Sequence, residues 1–436
     1  MKKKFLIYLL GNFGSKFLSF LIIPLYTSFL SPKDFGEYDY WITIISLCST
    51  IIGMQIFQAV YMEVISSKND IGNAKEFINV GLNLIIIQVL FSLVILIFLN
   101  VLNITNSFYI WFIIILNIFN DYFNQGIARG YEKNVIMANS GVIQTVISIS
   151  LTTVLLYNNE KFNIHKLDIL FIGQSFGLLV SVLFTFFALK KVKLLPKLNI
   201  SLEQLMKSSK MLAFALPLIP STISWWVVNV SNRFIIVNYL GKDANGIYAM
   251  ANKFPAFIII INTIIITVWQ DQAILTSKDS NKSKYYSYQL YRYIFAQFIA
   301  VIIFTIGFKI FGSYLLKNSF DQAIQYVPLL LFSTTLSGIA AFYGTFYISE
   351  NDTLGSFFTT SWGAILSIIV NLILIDYLGL YASILSTIIS FSLICLLRGI
   401  KFKRIIGIKF PHKIFYIYIV AFFTLYLLFY QSKVFF

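Results

Sequence analysis

From Met211 to Gly241 the sequence MLAFALPLIPSTISWWVVNVSNRFIIVNYLG carries one formal charge, Arg233. About twenty consecutive apolar residues cross a bilayer as a helix. Inside hydrocarbon a chain must pair its own backbone groups, which leaves helices or closed barrels. A run this long and this apolar reads as a transmembrane helix. A guanidinium within it is costly unless it meets a polar cavity, a partner or an anion.

The rest of the chain agrees. Of 436 residues 58% are hydrophobic and only 12% are charged, against about 25% charged in soluble domains. So few charges cannot coat a water-soluble surface of this size. Spans are expected at about 5–30, 38–62, 76–101, 107–128, 135–157, 168–189, 211–240, 245–275, 286–316, 323–349, 353–376 and 379–398, with a thirteenth apolar run at 414–431. The N-terminal run continues past Lys16 with no small-residue cleavage site, so it reads as a retained first span.

The net charge of +15 does not point to nucleic acid, because the basic residues sit in short loops rather than on one soluble face. They set topology instead. With the N-terminus inside, the inner side receives Lys2, Lys3, Lys4, the cluster from Lys190 to Lys210, and the cluster Arg398, Lys401, Lys403, Arg404, Lys409 and Lys413. The outer side receives only Lys33, Lys161, Lys166, Lys242, Lys317 and Lys433.

These observations divide the chain into a six-span lobe (1–189), a basic linker (190–210), a second six-span lobe (211–400), and a basic segment with an additional C-terminal span (401–436). An internal repeat supports the division. Leu30, Gly36 and Tyr38 in LSPKDFGEY match Leu240, Gly246 and Tyr248 in LGKDANGIY, each as L-x5-G-x-Y between the first and second spans of a lobe. Six spans per lobe make the repeats parallel, with a substrate site expected at their interface. The expected fold is an all-α polytopic membrane protein, two six-helix lobes as parallel repeats around a central cavity.

Several residues lie where a charge or aromatic ring needs a reason. Arg233 and Lys253 are toward the outer ends of their spans. They either snorkel to the interface or bind a phosphate, for which the arginine fork is well shaped. Lys16 and Asp121 fall near mid-membrane. They form a buried pair, or serve as a cation for cargo and a carboxylate for ion coupling. Trp225 and Trp226 are mid-span and either pack helices or stack on a sugar. Pro24, Pro217, Pro220, Pro255 and Pro328 lie within the expected spans and would bend them. No ATP-binding loop, metal-binding H-E-x-x-H or nucleophile elbow is present, so no catalytic residues, metal or cofactor are expected. Cys48 and Cys395 imply no disulfide framework.

The stretch ALPLIPSTISWWVVNVSNRFIIVNYLGKDANGIYAMANKF (215–254) resembles the central signature of bacterial polysaccharide flippases of the multidrug/oligosaccharidyl-lipid/polysaccharide exporter superfamily. IPLYTSFLSPKDFGEYDYW (23–41), QGIARGYEKN (125–134) and YVPLLLFSTTLSGIAAFYGTFYISEND (326–352) match that family in style and position. The resemblance implies export of oligosaccharide repeat units on an undecaprenyl-diphosphate carrier, from the cytoplasmic to the outer leaflet, for O-antigen or capsule synthesis. It implies a bacterial cytoplasmic-membrane location, lipid contacts, and a polymerase and chain-length regulator as partners. The driving force stays open among a Na⁺ gradient, an H⁺ gradient and the membrane potential. Lys16, Arg233 and Lys253 would meet the diphosphate. Trp225, Trp226 and Gln125, with Gln55, Gln58, Gln270 and Gln272, would meet sugar, and Asp121 would couple the ion. One departure stands out: the family's S-D-R is Ser231-Asn232-Arg233 here. A cation-coupled multidrug exporter of the same superfamily would need an acidic cavity, and the deep charges are mostly basic. A multi-span polymerase would need a larger outer loop than the one near 157–167.

Overall fold

The computed structural model describes residues 23–67, 70–103, 107–195, 202–276, 279, 281–316, 318–350 and 352–430. All regular structure among them is helical. In chain order the helices are α1 (Ile23–Phe29), α2 (Pro32–Ile52), α3 (Ile56–Ser66), α4 (Ile71–Val101), α5 (Ser107–Asn120) running into a π-helix (Asp121–Ala128), α6 (Asn134–Tyr157) and α7 (Lys166–Lys191). They continue with α8 (Leu202–Ala215), α9 (Leu218–Val230), α10 (Asn232–Ala251), α11 (Ala256–Leu275), α12 (Lys282–Leu315), a 3-10 stretch (Asn318–Tyr326), α13 (Val327–Ser349), α14 (Thr353–Leu378), α15 (Leu380–Ile405) and α16 (His412–Tyr430). Among the described residues eight helices are long and apolar enough to cross a membrane, nine if the bent pair α2–α3 counts as one span. The chain is therefore a multi-pass membrane protein. Rows of exposed apolar side chains fit lipid contact, as on α4, where Ile87, Leu90, Phe91, Val94, Ile97 and Phe98 all point outward.

The expected span 211–240 is not one continuous helix. It is assembled from the end of α8, all of α9 and the first half of α10, with turns at Leu216–Pro217 and Ser231. Gly241, at φ 87° and ψ 175°, breaks α10 into two helical pieces, and only glycine adopts that backbone without strain. Five prolines do not kink mid-helix either. Pro32, Pro220 and Pro328 occupy first turns, while Pro217 and Pro255 stand just before α9 and α11. The first turn has no amide to lose, so proline starts helices there at little cost.

The chain forms two compact units, one built from Glu37–Ile223 and the other from Ile23–Gly36 with Ser224 onward. In the first, α6 and α7 make the most extensive helix pair. Gly173 and Gly177 let them approach, since a Cβ at Gly177 would lie 2.6 Å from the Gln144 carbonyl oxygen. Its core gathers Val60, Val64, Ile78, Ile113, Ile114, Tyr122 and Phe171. In the second unit the corresponding pair is α14–α15. Its core is aromatic: Trp269 stacks on Phe342 at 4.9 Å, with Tyr286, Tyr293, Phe346 and Phe402 around them.

The two copies of the repeated motif meet inside this second unit. A Cβ at Gly36 would lie 1.8 Å from the Lys242 carbonyl oxygen, and one at Gly246 would lie 1.9 Å from the Pro32 carbonyl oxygen. The backbones thus interlock through the repeat glycines. Asn245, fully buried, donates its amide to the Gly36 carbonyl at 2.7 Å. Gly36→Ala should therefore cost about 3 kcal/mol or more, since a backbone must shift to admit the methyl. The control is Gly307→Ala, where nothing lies within 4 Å. Thermal unfolding in detergent should show a sharp loss for the first variant and little change for the second.

Candidate functional site

The first unit holds its polar chemistry around a broken span. α2 stops at Ile52, and Met54 and Gln55 then take φ 46° and 55°, a left-handed conformation costing about 1–2 kcal/mol per non-glycine residue. The chain bends by 54° into α3. Gln88 on α4 donates to the Gly53 carbonyl at 3.3 Å and pins the break. Beside it is a cavity of about 160 Å³ whose polar lining is Ser46, Ser49, Thr50, Gln55, Asn117 and Asp121. Asp121 opens the π-helix, a widened turn that often marks function. On another side of that segment Asn120 and Asn124 form a network. Asn124 donates to Asn120, Ser140 and Thr185 donate to the Asn124 oxygen, and Ser181 donates to the Asn120 oxygen. This network ties the α5–π segment to α6 and α7.

In the second unit the matching hub is Asn232. It is fully buried. Its amide donates to the Ser383 carbonyl at 3.0 Å and the Thr387 hydroxyl at 2.8 Å. Its oxygen accepts from the Asn371 amide at 3.0 Å, and Ser383 donates to Asn371. The residue at the family's acidic position is thus a neutral tie between α10, α14 and α15. Arg233, next in sequence, is half-buried, with its guanidinium 5.7 Å from the Tyr248 ring centre. Lys253 is half-buried 5.6 Å from the Phe35 ring. Each cation thus sits on an aromatic ring of one repeat segment.

Sequence reasoning missed Arg398. Topology rules placed it among inner-loop charges, yet it lies on α15 with no exposed surface. Its guanidinium donates to the Ala340 carbonyl at 2.6 Å, the Thr360 hydroxyl at 2.8 Å, the Thr359 hydroxyl at 3.1 Å and the Ser356 carbonyl at 3.4 Å. Tyr347 and Trp225 flank it at 5.4 and 5.9 Å. One side chain thereby joins α13, α14 and α15. The signal available was the hydroxyl run at Ser356, Thr359 and Thr360 in an otherwise apolar span.

A profile of the family described as polysaccharide biosynthesis protein matches residues 1–270. The chain belongs to this family. Among solved structures it resembles the lipid II flippase MurJ in an inward closed conformation, at 15% identity over 99% of this chain and 98% of that one, with TM-score 0.68. It also resembles a multidrug resistance MATE family transporter of the MOP superfamily in inward-facing form, at 14% identity over 89% and 95%, TM-score 0.67. The outward-facing form matches at 14% identity over 92% and 96%, TM-score 0.64. These likenesses establish a shared fold. No curated protein matches the chain in sequence.

Within this polysaccharide biosynthesis protein the expected site residues separate by unit. Asp121 and Gln55 share the cavity of the first unit. Gln125 is half-buried on the same π-helix. Arg233, Lys253, Trp225 and Trp226 belong to the second unit. Trp225 packs on Phe391 at 5.8 Å and Trp226 on Phe234 at 5.7 Å. Lys16 lies outside the described residues, and with it the Lys16–Asp121 pair.

Two predictions follow from the second unit. Arg398→Met should lower stability by about 2–4 kcal/mol through lost charge-assisted hydrogen bonds, and Arg398→Lys should recover little, because an ammonium cannot span the same acceptors. Unfolding midpoints of the purified variants measure both. At the α13–α14 turn, Asp352 caps α14 through the Gly355 amide and pairs with Lys401. The Lys401 hydrogen bond holds its carboxyl below the ordinary value of 3.8. Its folded pKa is depressed, so this contribution is full above about pH 4 and lost as pH falls through the lower folded value. Asp352→Asn should flatten that acid limb in a pH series of unfolding temperatures.

Proposed function

We propose that this protein flips undecaprenyl-diphosphate-linked oligosaccharide repeat units from the cytoplasmic to the outer leaflet of the bacterial cytoplasmic membrane. The observation that carries the reading is the match of residues 1–270 to polysaccharide biosynthesis proteins on a fold shared with a lipid II flippase. Transport by alternating access, with no covalent chemistry, fits a chain made of apolar spans. The N-terminus is inside, and the product feeds O-antigen or capsule assembly by a polymerase and a chain-length regulator.

The chemistry of the cargo supports particular roles. A diphosphate needs cations in a place of low dielectric, where their attraction is strong. Arg233 on α10 and Lys253 in the turn between α10 and α11 supply them, with Lys16 as a third. Trp225, Trp226 and Gln125 offer rings and an amide to the sugar. Asp121 carries ion coupling, to Na⁺ or H⁺. The likeness to multidrug transporters favours a second reading, a cation-coupled drug exporter. Arg233 and Lys253 would repel a cationic drug, which is why the anionic cargo is preferred.

Reconstitution into vesicles with a fluorescent lipid-diphosphate sugar, followed by a leaflet-access assay, tests the reading. Transfer above protein-free vesicles is expected under an imposed ion gradient. Arg233→Glu should abolish transfer while the protein elutes as a folded species on size exclusion. No transfer under any gradient, or full transfer by Arg233→Glu, would overturn the assignment.

A further inference from the structure

We propose that one end of the second unit, where α12 starts, α15 ends and α16 starts, is a binding surface for the headgroups of anionic phospholipids in the surrounding bilayer. The proposal does not depend on what cargo the protein carries.

The sequence concentrates charge of one sign here. Residues 282–292 and 398–413 together hold nine Lys and Arg and no Asp or Glu. Three of the nine are spent inside the protein. Arg398 is buried in its hydrogen bonds, Lys282 pairs with Glu350 at 2.9 Å and Lys401 pairs with Asp352. The other six, Lys284, Arg292, Lys403, Arg404, Lys409 and Lys413, are exposed.

The fold draws these cations together. After α15 the chain turns at Gly407, whose φ of 79° is the left-handed conformation that glycine adopts freely. The Ser283 hydroxyl then donates to the Gly407 carbonyl at 2.9 Å, and the Lys409 amide donates to the Ser287 hydroxyl at 2.9 Å. The connection that carries Lys409 and leads to Lys413 is thereby stitched along the first two turns of α12, beside Lys284. α16 continues against α12, with Tyr418 on Phe298 at 5.3 Å. Like charges held this way repel. Lys284 adds a further cost, since it stands in the first turn of α12, where the helix dipole favours acids. An anion bound over the surface relieves both.

Depth along the helices identifies the anion. α12 and α15 are long and apolar enough to cross a membrane. Down the outward face of α12 the exposed side chains run Lys284, Tyr288, Tyr291, Phe295, Ile299 and Ile303. Down α16 they run Lys413, Tyr416, Ile417, Val420 and Phe423. Charge gives way to aromatic rings and rings to aliphatic chains, the order met on passing from headgroups into hydrocarbon. The cations therefore stand at the depth of lipid phosphates. Arg292 lies over the Tyr288 ring at 5.7 Å, which holds the guanidinium at that level and leaves its N–H edge for a phosphate. Clusters of four to eight Lys and Arg beside a membrane span attract anionic lipid, with about fivefold in affinity per charge.

The unfolding temperature of the purified full-length protein in detergent tests this. It is measured against added phosphatidylglycerol, phosphatidylcholine of the same acyl chains, and inorganic phosphate. A saturating rise with phosphatidylglycerol alone is expected, shrinking as NaCl is raised. Lys403→Gln, Arg404→Gln and Lys409→Gln combined should raise the half-saturating phosphatidylglycerol concentration about a hundredfold. In phosphatidylcholine that variant should unfold at the wild-type temperature or above it, because repulsion is relieved. The control combines Lys190→Gln, Lys191→Gln and Lys193→Gln, three exposed cations of the first unit, and should keep the wild-type response. Should the triple patch variant fail to insert, Lys284→Gln with Arg292→Gln decides, with a shift of about 25-fold. Equal responses to the two lipids, a response to inorganic phosphate matching that to phosphatidylglycerol, an unshifted titration in either patch variant, or an equal loss in the control would overturn the proposal.

Discussion

A polar side chain inside a membrane span has no water to fall back on, and this constraint organises both units. In the first, Asn120 and Asn124 gather the hydroxyls of Ser140, Ser181 and Thr185. In the second, Asn232 gathers Asn371, Ser383 and Thr387. Apolar contact distinguishes helix from helix weakly in lipid, whose tails are as apolar as leucine. Amides with two donors and an acceptor do so strongly, because a wrong neighbour leaves them unpaired. The backbone positions of two neighbouring charged residues follow. Asp121 neighbours Asn120, and Arg233 neighbours Asn232, so each charged group is oriented by the hub beside it.

The Asn232 hub is closed. Every polar atom of Asn232 is engaged by partners on α14 and α15. Arg398 is likewise spent on α13 and α14. A saturated group has nothing left for a ligand.

Much of this was legible in the sequence. Apolar runs gave the helices, and L-x5-G-x-Y located two segments whose glycine backbones pack against each other. Hydropathy averages over a window, so it could not see the left-handed pair Met54–Gln55 within an unbroken apolar run. It also could not see that Pro217, Ser231 and Gly241 divide the Arg233 segment. Arg398 was misplaced because topology rules treat an arginine at the end of an apolar run as a loop charge. Its partners are hydroxyls and carbonyls from two other helices, and no one-dimensional pattern records those.

The interlocked glycines have a consequence for how the molecule is made. Gly36 reaches the ribosome's exit long before Lys242 and Gly246, its partners in the second unit. At roughly 5–20 residues per second the delay is on the order of ten to forty seconds. During that interval the bared backbone of Pro32–Gly36 stands without its mate, although the chain after it belongs to the first unit. The second unit is therefore completed by a strap synthesised ahead of it. Dividing the gene at the linker near 190–210 would yield a C-terminal half that still needs its strap supplied from the other polypeptide.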